Sequence, residues 1–313
     1  MDAAIFGLIV ADVIAEPMDL HKHLPPAGAL QVINSVTLTT GGNVCNTGVA
    51  MAKMGMKVVG AGMVGDDLLG KALLERLRLS GLDTSAVFTS DCAPTSATVA
   101  AVETGGERCF FHAPGVTALL DAALFRKCFP IFRECAYMQI GYFGLLPTLT
   151  PDLPELLAEF RSSSPGTKIA LDTSNPPEQR KLLVPILPHL DIFCPSRTEA
   201  EVLSGESKPA KMVAFFRQYM PKGLIGIKLD AKGCYLDNGQ EAVTVPSFKI
   251  KVVDSTGAGD TWFAGLLTAL RHNMPLERAG RFANRAAADC CLAIGASTGV
   301  KSFEETLARA QGD

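Results

Sequence analysis

Apolar and polar positions alternate along the chain in two rhythms, and their succession predicts an α/β fold. Short apolar runs, typical of buried strands, are separated by segments in which apolar residues recur every three or four positions, as on one face of a helix. The predicted strands of this series are Ala4–Val10, Lys57–Ala61, Ala136–Ile140, Lys168–Leu171, Ile192–Cys194 and Leu224–Lys228. The predicted helices are Asn43–Lys53, Asp67–Leu79, Pro151–Phe160, Glu178–Leu187 and Ala210–Tyr219. This alternation indicates a mostly parallel sheet covered by helices on both faces, with ligands binding beyond the carboxyl ends of the strands.

Two stretches, residues 12–40 and residues 91–112, interrupt this alternation. The first contains no good helical pattern, and the second contains two short strand-like segments around a glycine turn. The predicted β segments are Val32–Thr39, Ser96–Val102 and Arg108–His112, with the turn at Thr104-Gly105-Gly106. We interpret both stretches as a small β layer that projects from the main sheet as a lid. Because there is no internal repeat and no long linker, we expect one domain over residues 1–313.

Composition narrows the class of protein. Of 313 residues, 48% are hydrophobic and 19% are charged, which is typical of a globular chain with a sizeable core. A net charge of −3 argues against nucleic acid or an anionic membrane as the main partner. No apolar run approaches the roughly 18 residues of a membrane span, and the first residues are typical of a strand rather than a signal peptide. The 9 cysteines lack C-x-x-C spacing, which favours reduced thiols in a cytoplasmic protein over zinc or disulfides.

The most specific chemical signal is the run Asp254–Asp260, with the sequence D-S-T-G-A-G-D. It lies between the strand-like Glu241–Pro246 and a segment with helical spacing of apolar residues. Small residues at a helix start leave backbone N–H groups that, together with the helix dipole, suit an anion. A carboxylate such as Asp260 would repel a neighbouring anion. Its presence there is explained if it accepts a proton from the nucleophile that attacks the anion. Phosphoryl transfer needs this arrangement, whereas an ordinary glycine-rich loop before an acidic helix start is the equally open alternative.

Two other glycine-rich runs are not expected to bind a nucleotide. Gly60–Gly65 matches G-x-G-x-x-G, but it follows a later strand rather than the first one. Gly65–Lys71 resembles a phosphate-binding loop until Ala72, which has no hydroxyl to offer Mg²⁺. Asp66 and Asp67 within that run would also repel a phosphate.

Taken together, the motifs resemble the ribokinase/PfkB family of carbohydrate kinases over nearly the whole chain. Gly41–Gly48 resembles the family's N-terminal signature, and Asp254–Asp260 resembles its C-terminal D-T-x-G-A-G-D signature, in the right order and at the usual separation. The resemblance implies a ribokinase-like three-layer α/β/α domain with a small β-sheet lid. It also implies transfer of the γ-phosphate of ATP, with Mg²⁺, to a hydroxymethyl group of a small carbohydrate. Pairing of two subunits through the lid, as a homodimer, is a further expectation.

Carried over residue by residue, the resemblance makes Asp260 the general base and makes Gly257, Ala258 and Gly259 the anion hole for the phosphoryl group. The residues implied to bind the acceptor are Asp12, Gly41, Gly42, Asn43, Asn46 and Arg108. The chemistry suits these roles, since a carboxylate accepts from two hydroxyls, an amide both donates and accepts, and glycine permits close approach. Alternative roles are a turn residue for Asp12, a helix N-cap for Asn43 and a solvated hairpin charge for Arg108.

The nucleotide and metal positions depart from the family's pattern in two places. Asp230 stands where the family has a glycine, and Ser196 replaces the asparagine of an N-x-x-E motif whose Glu199 would order water and Mg²⁺. A negative charge at Asp230 near ATP phosphates is unfavourable, although aspartate tolerates a left-handed backbone. The residues implied to line the nucleotide site are Lys228, Asp230, Gly233 and Asn284, the last of which could equally be a surface residue. Asp254 and Thr256 could supply oxygens to a monovalent cation such as K⁺.

The acceptor stays open at this point. Gly141 stands where ribokinases carry a glutamate after the strand Ala136–Ile140, which argues against strict preference for ribose. Fructose, a 2-keto-3-deoxy acid, an adenosine-like nucleoside and a sugar phosphate are the alternatives. The competing class is a non-catalytic regulator that binds a sugar or nucleoside, suggested by Asp230 and Ser196. Retention of Asp260 with its whole glycine loop favours the enzyme.

Overall fold

The computed structural model describes residues 1–19, 28–103, 107–174 and 180–312, so the predicted turn Thr104-Gly105-Gly106 lies outside the described residues. In chain order the strands are β1 (Ala3–Phe6), β2 (Val10–Glu16), β3 (Ser35–Gly41), β4 (Val58–Gly65), β5 (Asp83–Ser90), β6 (Ala97–Val102), β7 (Arg108–Ala113), β8 (Tyr137–Ile140), β9 (Lys168–Leu171), β10 (Ile192–Phe193), β11 (Leu224–Lys228), β12 (Cys234–Asp237) and β13 (Ala242–Val245). The helices are α1 (Asn43–Lys53), α2 (Leu68–Leu79), α3 (Ala122–Lys127), α4 (Phe129–Phe132), α5 (Leu153–Ser163), α6 (Arg180–Leu183), α7 (Arg197–Ser204), α8 (Pro209–Arg217), α9 (Ala258–Arg271), α10 (Leu276–Cys290) and α11 (Phe303–Gln311).

In the described ranges, the larger sheet has 9 strands in the order β13-β12-β11-β10-β9-β8-β1-β4-β5. Its strands run parallel except at one end, where β12 pairs antiparallel with both β11 and β13. One apolar cluster joins α1, α2, α9 and α10 to one face, and a second joins α3 to α8 to the other. This arrangement confirms the predicted three-layer α/β/α fold, because each face of the sheet must bury its apolar side chains under helices.

The predicted strand Ala4–Val10 is divided in the structure, and the prediction of one continuous strand is wrong. The chain leaves the main sheet after Phe6 because the buried Asn43 holds both sides of the break. Its amide donates to Phe6 O (3.0 Å), and its Oδ1 accepts from Leu8 N (2.8 Å). Gly7 between them has a φ of 148°, and a Cβ there would lie 2.3 Å from Asn43 Oδ1.

The smaller sheet, which we call the lid sheet, has 4 strands in the order β3-β2-β6-β7 within the described residues. Asp12 lies within β2 of this sheet, in the stretch 12–40 that was predicted to form the β layer. In the register of the lid sheet, Asp12 stands beside Thr98, which stands beside His112. Since side chains alternate along a strand, Arg108 of β7 shares this face with His112. The role of the sheet as a lid, and the extent of the domain, stay predictions.

Two further elements differ from the sequence prediction. Strand β5 was not predicted, because it forms the edge of the main sheet and only Ala86 of its residues is buried, so it lacks an apolar run. The helix predicted over Glu178–Leu187 is seen only as α6, and residues 175–179 lie outside the described ranges. None of the helices described is both long enough and apolar enough to cross a membrane.

Candidate active site

The start of α9 combines an uncapped helix end with a buried carboxylate. Gly257 precedes the helix with a φ of 72°, and no side chain caps this end within the described chain. A Cβ on Gly257 would lie 2.5 Å from the Cβ of Ala296, so only glycine fits this turn. Of the predicted anion hole, Ala258 N donates to Ser255 O at 3.2 Å, whereas no side chain of the described residues accepts from the N–H groups of Gly257 and Gly259. The helix start therefore suits a phosphoryl group.

The carboxylate of Asp260 lies in the first turn of α9 and is buried. Its Oδ2 accepts from Asn46 Nδ2 (2.9 Å) and from the Tyr142 hydroxyl (2.7 Å), and its Oδ1 accepts from Thr47 Oγ1 (3.4 Å). Burial raises the pKa of Asp260, and the hydrogen bonds from Tyr142 and Asn46 offset part of that increase. A carboxylate with a raised pKa is a stronger base, and this suits it to accept a proton from a hydroxyl.

A buried ion pair lies beside this helix start. Lys228 Nζ is 2.8 Å from Asp172 Oδ1. It also lies against α9, since a Cβ built on Gly259 would be 3.6 Å from Lys228 Nζ. Burial favours the neutral amine, but the charges of Asp172 and Glu199 outweigh it and raise the pKa of Lys228. The ammonium therefore stays charged at the place where an anion would approach α9. The structure thus places Lys228, predicted to line the nucleotide site, next to the predicted anion hole.

Asp12 and Gly41 are brought together in the lid sheet. A Cβ on Gly41 would lie 2.2 Å from Asp12 Oδ2, so glycine is required for the carboxylate to take its place. Burial raises the pKa of Asp12, while a hydrogen bond with Thr98 and the proximity of His112 lower it. Gly42 has a φ of 85°, and a Cβ there would meet Leu8 O at 2.4 Å. The carboxylate is thus held at the junction between the lid sheet and α1.

Asn43 and Asn284 are used by the fold itself. Asn43 is the first residue of α1 rather than its N-cap, which is Gly42, so the N-cap alternative is wrong. Its polar atoms are bonded to the chain around Gly7, as described above. Asn284 Oδ1 accepts from Trp262 Nε1 (2.8 Å), and its Nδ2 donates to the carbonyls of residues 245 and 246 (3.0 and 3.1 Å). The polar atoms of both amides already have partners within the protein. The ligand roles predicted for Asn43 and Asn284 stay predictions.

Arg108 connects the lid sheet to the signature at the start of α9. Its guanidinium donates to Thr256 Oγ1 (2.7 Å) and to Asp254 Oδ1 (3.1 Å). Burial disfavours the charged form of Asp254, but hydrogen bonds from Gly295 and Thr256 and the charge of Arg108 lower its pKa. Arg108 is therefore not a solvated hairpin charge. It holds the same oxygens that Asp254 and Thr256 were expected to offer to a monovalent cation.

Glu199 is held by a capping box at the start of α7. Its Oε2 accepts from Ser196 N (2.7 Å), while Ser196 Oγ accepts from Glu199 N (3.3 Å). The same Oε2 accepts from Thr173 Oγ1 (2.7 Å). S-x-x-E is a capping-box sequence, so the substitution of Ser196 for asparagine keeps this helix start intact. Over the ranges that the structure covers, no group of three or more His, Cys, Asp or Glu side chains is placed to hold a metal.

Asp230 and Gly233 form the turn between β11 and β12. Asp230 is exposed and has a φ of 54°, the left-handed conformation that a glycine would adopt at this position. Gly233 has a φ of 99°, and a Cβ there would lie 2.0 Å from Val245 O. The turn directly follows Lys228, so it lies next to the ion pair beside α9.

Two residues of this site, Asp172 and Tyr142, escaped the sequence analysis. Asp172 directly follows the apolar strand β9, and Tyr142 follows β8 by two positions. Both therefore lie at carboxyl ends of parallel strands, where ligands of such sheets bind. A position just after a buried parallel strand was the sequence signal that could have identified both Asp172 and Tyr142.

Comparison with known proteins identifies relatives of this chain in sequence and in fold. The sequence model of the pfkB family of carbohydrate kinases matches residues 2–302. The ribokinase of Haemophilus influenzae is 29% identical over 276 residues, covering 85% of this chain and 86% of the relative.

Two solved structures share the fold at low sequence identity. The structure of Arabidopsis thaliana ribokinase complexed with ribose and ATP has a TM-score of 0.83 and 21% identity, and the match covers 100% of this chain and 99% of that one. An E. coli protein crystallised in complex with ATP and Mg²⁺ has a TM-score of 0.84 and 21% identity, with the same coverage. At such identities the likeness establishes the ribokinase fold. The match of the family model over nearly all of the sequence establishes more, namely that the chain belongs to the pfkB family of carbohydrate kinases.

Proposed function

We propose that this ATP-dependent carbohydrate kinase phosphorylates a hydroxymethyl group of a small neutral sugar, with Asp260 as its general base. The observation that carries the proposal is the position of the Asp260 carboxylate, buried in the first turn of α9 between an uncapped helix start and a group of polar side chains. Tyr142, Asn46 and Thr47 donate hydrogen bonds to it from other elements of the fold. A base between an anion site and a polar pocket is what transfer to a hydroxyl requires.

The chemical step follows from this placement. The acceptor hydroxyl donates its hydrogen bond to Asp260, and its proton passes to the carboxylate as the oxygen forms a bond to the γ-phosphorus. The bond between that phosphorus and the β–γ bridging oxygen breaks, and ADP leaves with the bonding electrons. The N–H groups at the start of α9 and the ammonium of Lys228 stabilise the charge on the transferred group. ATP and the sugar are thereby converted into ADP and a sugar phosphate.

Mg²⁺ would be held on the side of the ion pair, by the carboxylates of Glu199 and Asp172 together with phosphate oxygens and water. Thr173, the residue next to Asp172, donates to Glu199 Oε2 (2.7 Å), which brings the two acidic residues to the same place. One or two carboxylates with phosphates is the ligand set that Mg²⁺ prefers. When bound, the ion neutralises phosphate charge. The turn of Asp230 and Gly233 and the side chain of Lys228 would complete the nucleotide site, with Asn284 holding the strand β13 in place.

Asp12 is proposed to bind the acceptor's hydroxyls, with Gly41 and Gly42 lying against the sugar ring. A side chain at position 141 is excluded, since a Cβ on Gly141 would lie 2.2 Å from Asn43 Cγ. This supports an acceptor other than strictly ribose. Arg108 already binds Asp254 and Thr256, so its guanidinium is not left over for the phosphate of a sugar phosphate. This favours a neutral acceptor. Its guanidinium also supplies positive charge where K⁺ was expected, so any K⁺ effect would require Arg108 to move.

We also propose that two copies pair through the lid sheet. Val36, Val99 and Phe111 are apolar and exposed on the described strands of this sheet. Val99 and Phe111 are direct neighbours in the register, on the face opposite to Asp12 and Arg108. An exposed apolar face of this kind is typical of an interaction surface. The cysteines, which all carry free thiols, support a reducing compartment such as the cytoplasm.

The test is an assay of ADP release over a panel of pentoses, hexoses, 2-keto-3-deoxy acids, nucleosides and sugar phosphates. We expect turnover with a neutral sugar, and for Asp260→Asn a kcat that is lower by about 10²- to 10⁴-fold with nearly unchanged sugar affinity, the usual contribution of a positioned base. Sugar or nucleoside binding by calorimetry without any ADP release would identify the regulator instead. Turnover by Asp260→Asn within about tenfold of the wild type would show that another group is the base.

A further inference from the structure

The loop that follows β8 holds Tyr142 in an uncommon conformation against the catalytic carboxylate. Tyr142 has a φ of 53°, in the left-handed region that residues other than glycine rarely adopt. Its carbonyl accepts from Leu145 N (2.6 Å), and the next residue donates from Phe143 N to Asp172 O (3.4 Å). In this conformation the tyrosine hydroxyl reaches Asp260 Oδ2 at 2.7 Å.

The two oxygens of Asp260 differ in how many hydrogen bonds they accept. Oδ2 accepts from Tyr142 and from Asn46, at 2.7 and 2.9 Å. A carboxylate oxygen has two in-plane lone pairs, so these two donors fill the acceptor capacity of Oδ2. Oδ1 accepts only the long bond from Thr47, at 3.4 Å, in the described part of the chain. A further donor, such as an acceptor hydroxyl, therefore finds its place at Oδ1.

Tyr142 acts as the donor in this contact. Burial raises the pKa of Tyr142 well above its usual range, and the charge of Asp260 raises it further, so the hydroxyl keeps its proton. Hydrogen bonds from a neutral hydroxyl to a carboxylate stabilise the charged form of the carboxylate. Besides Tyr142, the titratable or charged groups that act on or are acted on by Asp260 are Lys228, Asp172, Cys45 and Cys290.

We propose that Tyr142 is a positioning residue for phosphoryl transfer: by binding Oδ2, it fixes the Asp260 carboxylate so that the acceptor's hydroxyl proton is taken by Oδ1. This rests on the proposed role of Asp260 as base and goes beyond it, by naming the oxygen that receives the proton and the side chain that selects it. Without the tyrosine hydroxyl, the carboxylate can rotate, and Oδ2 regains a free lone pair that competes for the acceptor. The acceptor then loses a single productive orientation.

The test is Tyr142→Phe, with Tyr137→Phe as the control. The phenylalanine keeps the ring and its packing, and Tyr137 is a buried tyrosine of β8 that is not among the described side chains that donate to Asp260. We expect kcat of Tyr142→Phe to fall by about 10- to 100-fold, the usual effect of losing a hydrogen bond to a charged group, with the sugar KM within about twofold of the wild type. Tyr137→Phe should change neither constant. The thermal unfolding midpoints of both variants establish that they are folded.

The pH profile separates positioning from packing. The Tyr142 hydrogen bond lowers the pKa of Asp260, so its removal raises that pKa further, and the acid limb of kcat/KM should move to higher pH. The loss of activity should be largest at low pH and shrink as the pH rises.

Two results would overturn the proposal. A lower sugar KM with unchanged kcat would show that the tyrosine hydroxyl only occupies the acceptor's place. An unchanged kcat with an unmoved acid limb would show that Tyr142 only packs. If Asp260→Asn is inactive while Tyr142→Phe behaves as the wild type, the positioning role fails and the base survives; if Asp260→Asn is active, the base itself is wrong.

Discussion

The helices α2 and α9 both begin close to glycines, Gly65 before α2 and Gly257 before α9, yet only the start of α9 is left open to an anion. At the start of α2, Asp67 is the N-cap, and its carboxylate accepts from Gly70 N (2.8 Å), Thr95 N (2.7 Å) and Thr95 Oγ1 (2.7 Å). At the start of α9 the N-cap is Gly257, which has no side chain to offer. The first helix start is closed by the protein's own carboxylate, and the second leaves its N–H groups for a ligand.

Between these two helices, the capping residue rather than the nearby glycines decides whether the helix start is left open. The start of α7 supports this conclusion. Glu199 of α7 and Asp260 of α9 occupy the same position in their helices, three residues after the N-cap. With serine at the N-cap, Glu199 folds back in a capping box, whereas with glycine Asp260 turns to Asn46 and Tyr142 from other elements. The acid thus caps its own helix in α7, whereas in α9 it accepts hydrogen bonds from side chains of other elements.

Among the variants that test this comparison of helix starts, Gly257→Ala is expected to have the largest effect, because it displaces the start of α9. A residue with a Cβ is disfavoured at a φ of 72°, and the Cβ would lie 2.5 Å from that of Ala296, so the helix start must shift. A displacement near 1 Å of groups that position a reaction costs about 10²-fold, and we expect kcat to fall by at least that factor. The measurement is steady-state ADP release at saturating sugar and ATP.

Gly205→Ala is the matched control for this variant. Gly205 also has a left-handed φ, of 77°, but a Cβ there meets nothing within 4 Å. It should lower the unfolding free energy by about 1–2 kcal/mol through backbone strain alone and leave kcat unchanged. A kcat for Gly257→Ala as high as that of the control would mean that the start of α9 does not bind the transferred group.

Asp67→Ala opens the closed helix start and should affect stability without affecting catalysis. Loss of an N-cap carboxylate costs about 0.5–2 kcal/mol of unfolding free energy, and Thr95 also loses its partner. Urea unfolding measures the loss, and kinetics should show kcat and the ATP KM unchanged. Asp66→Ala is the control, because Asp66 is an exposed neighbour whose contact with Lys71 (3.2 Å) lies at the surface. Weaker ATP binding in Asp67→Ala alone would show that the start of α2 belongs to the nucleotide site.

The same comparison explains how much of the fold could be predicted from the sequence. Central strands such as β8, β9 and β11 were predicted because they are buried on both faces and therefore form continuous apolar runs. The exposed edge strand β5 has no such run and was not predicted. The break after Phe6 was missed because it depends on Asn43, which is 37 residues away in the chain.

The candidate site shows the same division between local and distant information. The start of α9 was predictable because the glycine N-cap and the acid lie within one short segment. Tyr142 and Asp260 are 118 residues apart, and Lys228 and Asp172 are 56 apart, so their contacts depend on strand order rather than on any local pattern. The bond from Arg108 to Asp254 likewise requires the lid sheet to lie over α9, which no spacing in the sequence specifies.

The smallest expected effect, and the one that tests the edge of the nucleotide site, is that of Asp230→Gly. The exposed carboxylate of Asp230 lies in the turn directly after Lys228, so in the proposed nucleotide site its charge would oppose that of the ATP phosphates. Removing an exposed like charge should tighten ATP binding by about two- to fivefold at low ionic strength. The gain should shrink as salt is added, because the screening length falls to roughly 10 Å at 0.1 M and to 3 Å at 1 M.

Glycine at position 230 also relieves the left-handed backbone, and this second effect needs its own control. Asn273→Gly supplies it, since Asn273 has the same φ of 54° but is uncharged and follows the far end of α9. Both variants should gain similar stability towards urea, because both relieve a left-handed backbone. This gain does not involve the charge of the ATP phosphates. Only Asp230→Gly should change the ATP affinity measured by titration at low and high salt. Equal ATP affinities for the wild type and Asp230→Gly at both salt concentrations would mean that the turn lies away from the phosphates and that Asp230 serves the turn alone.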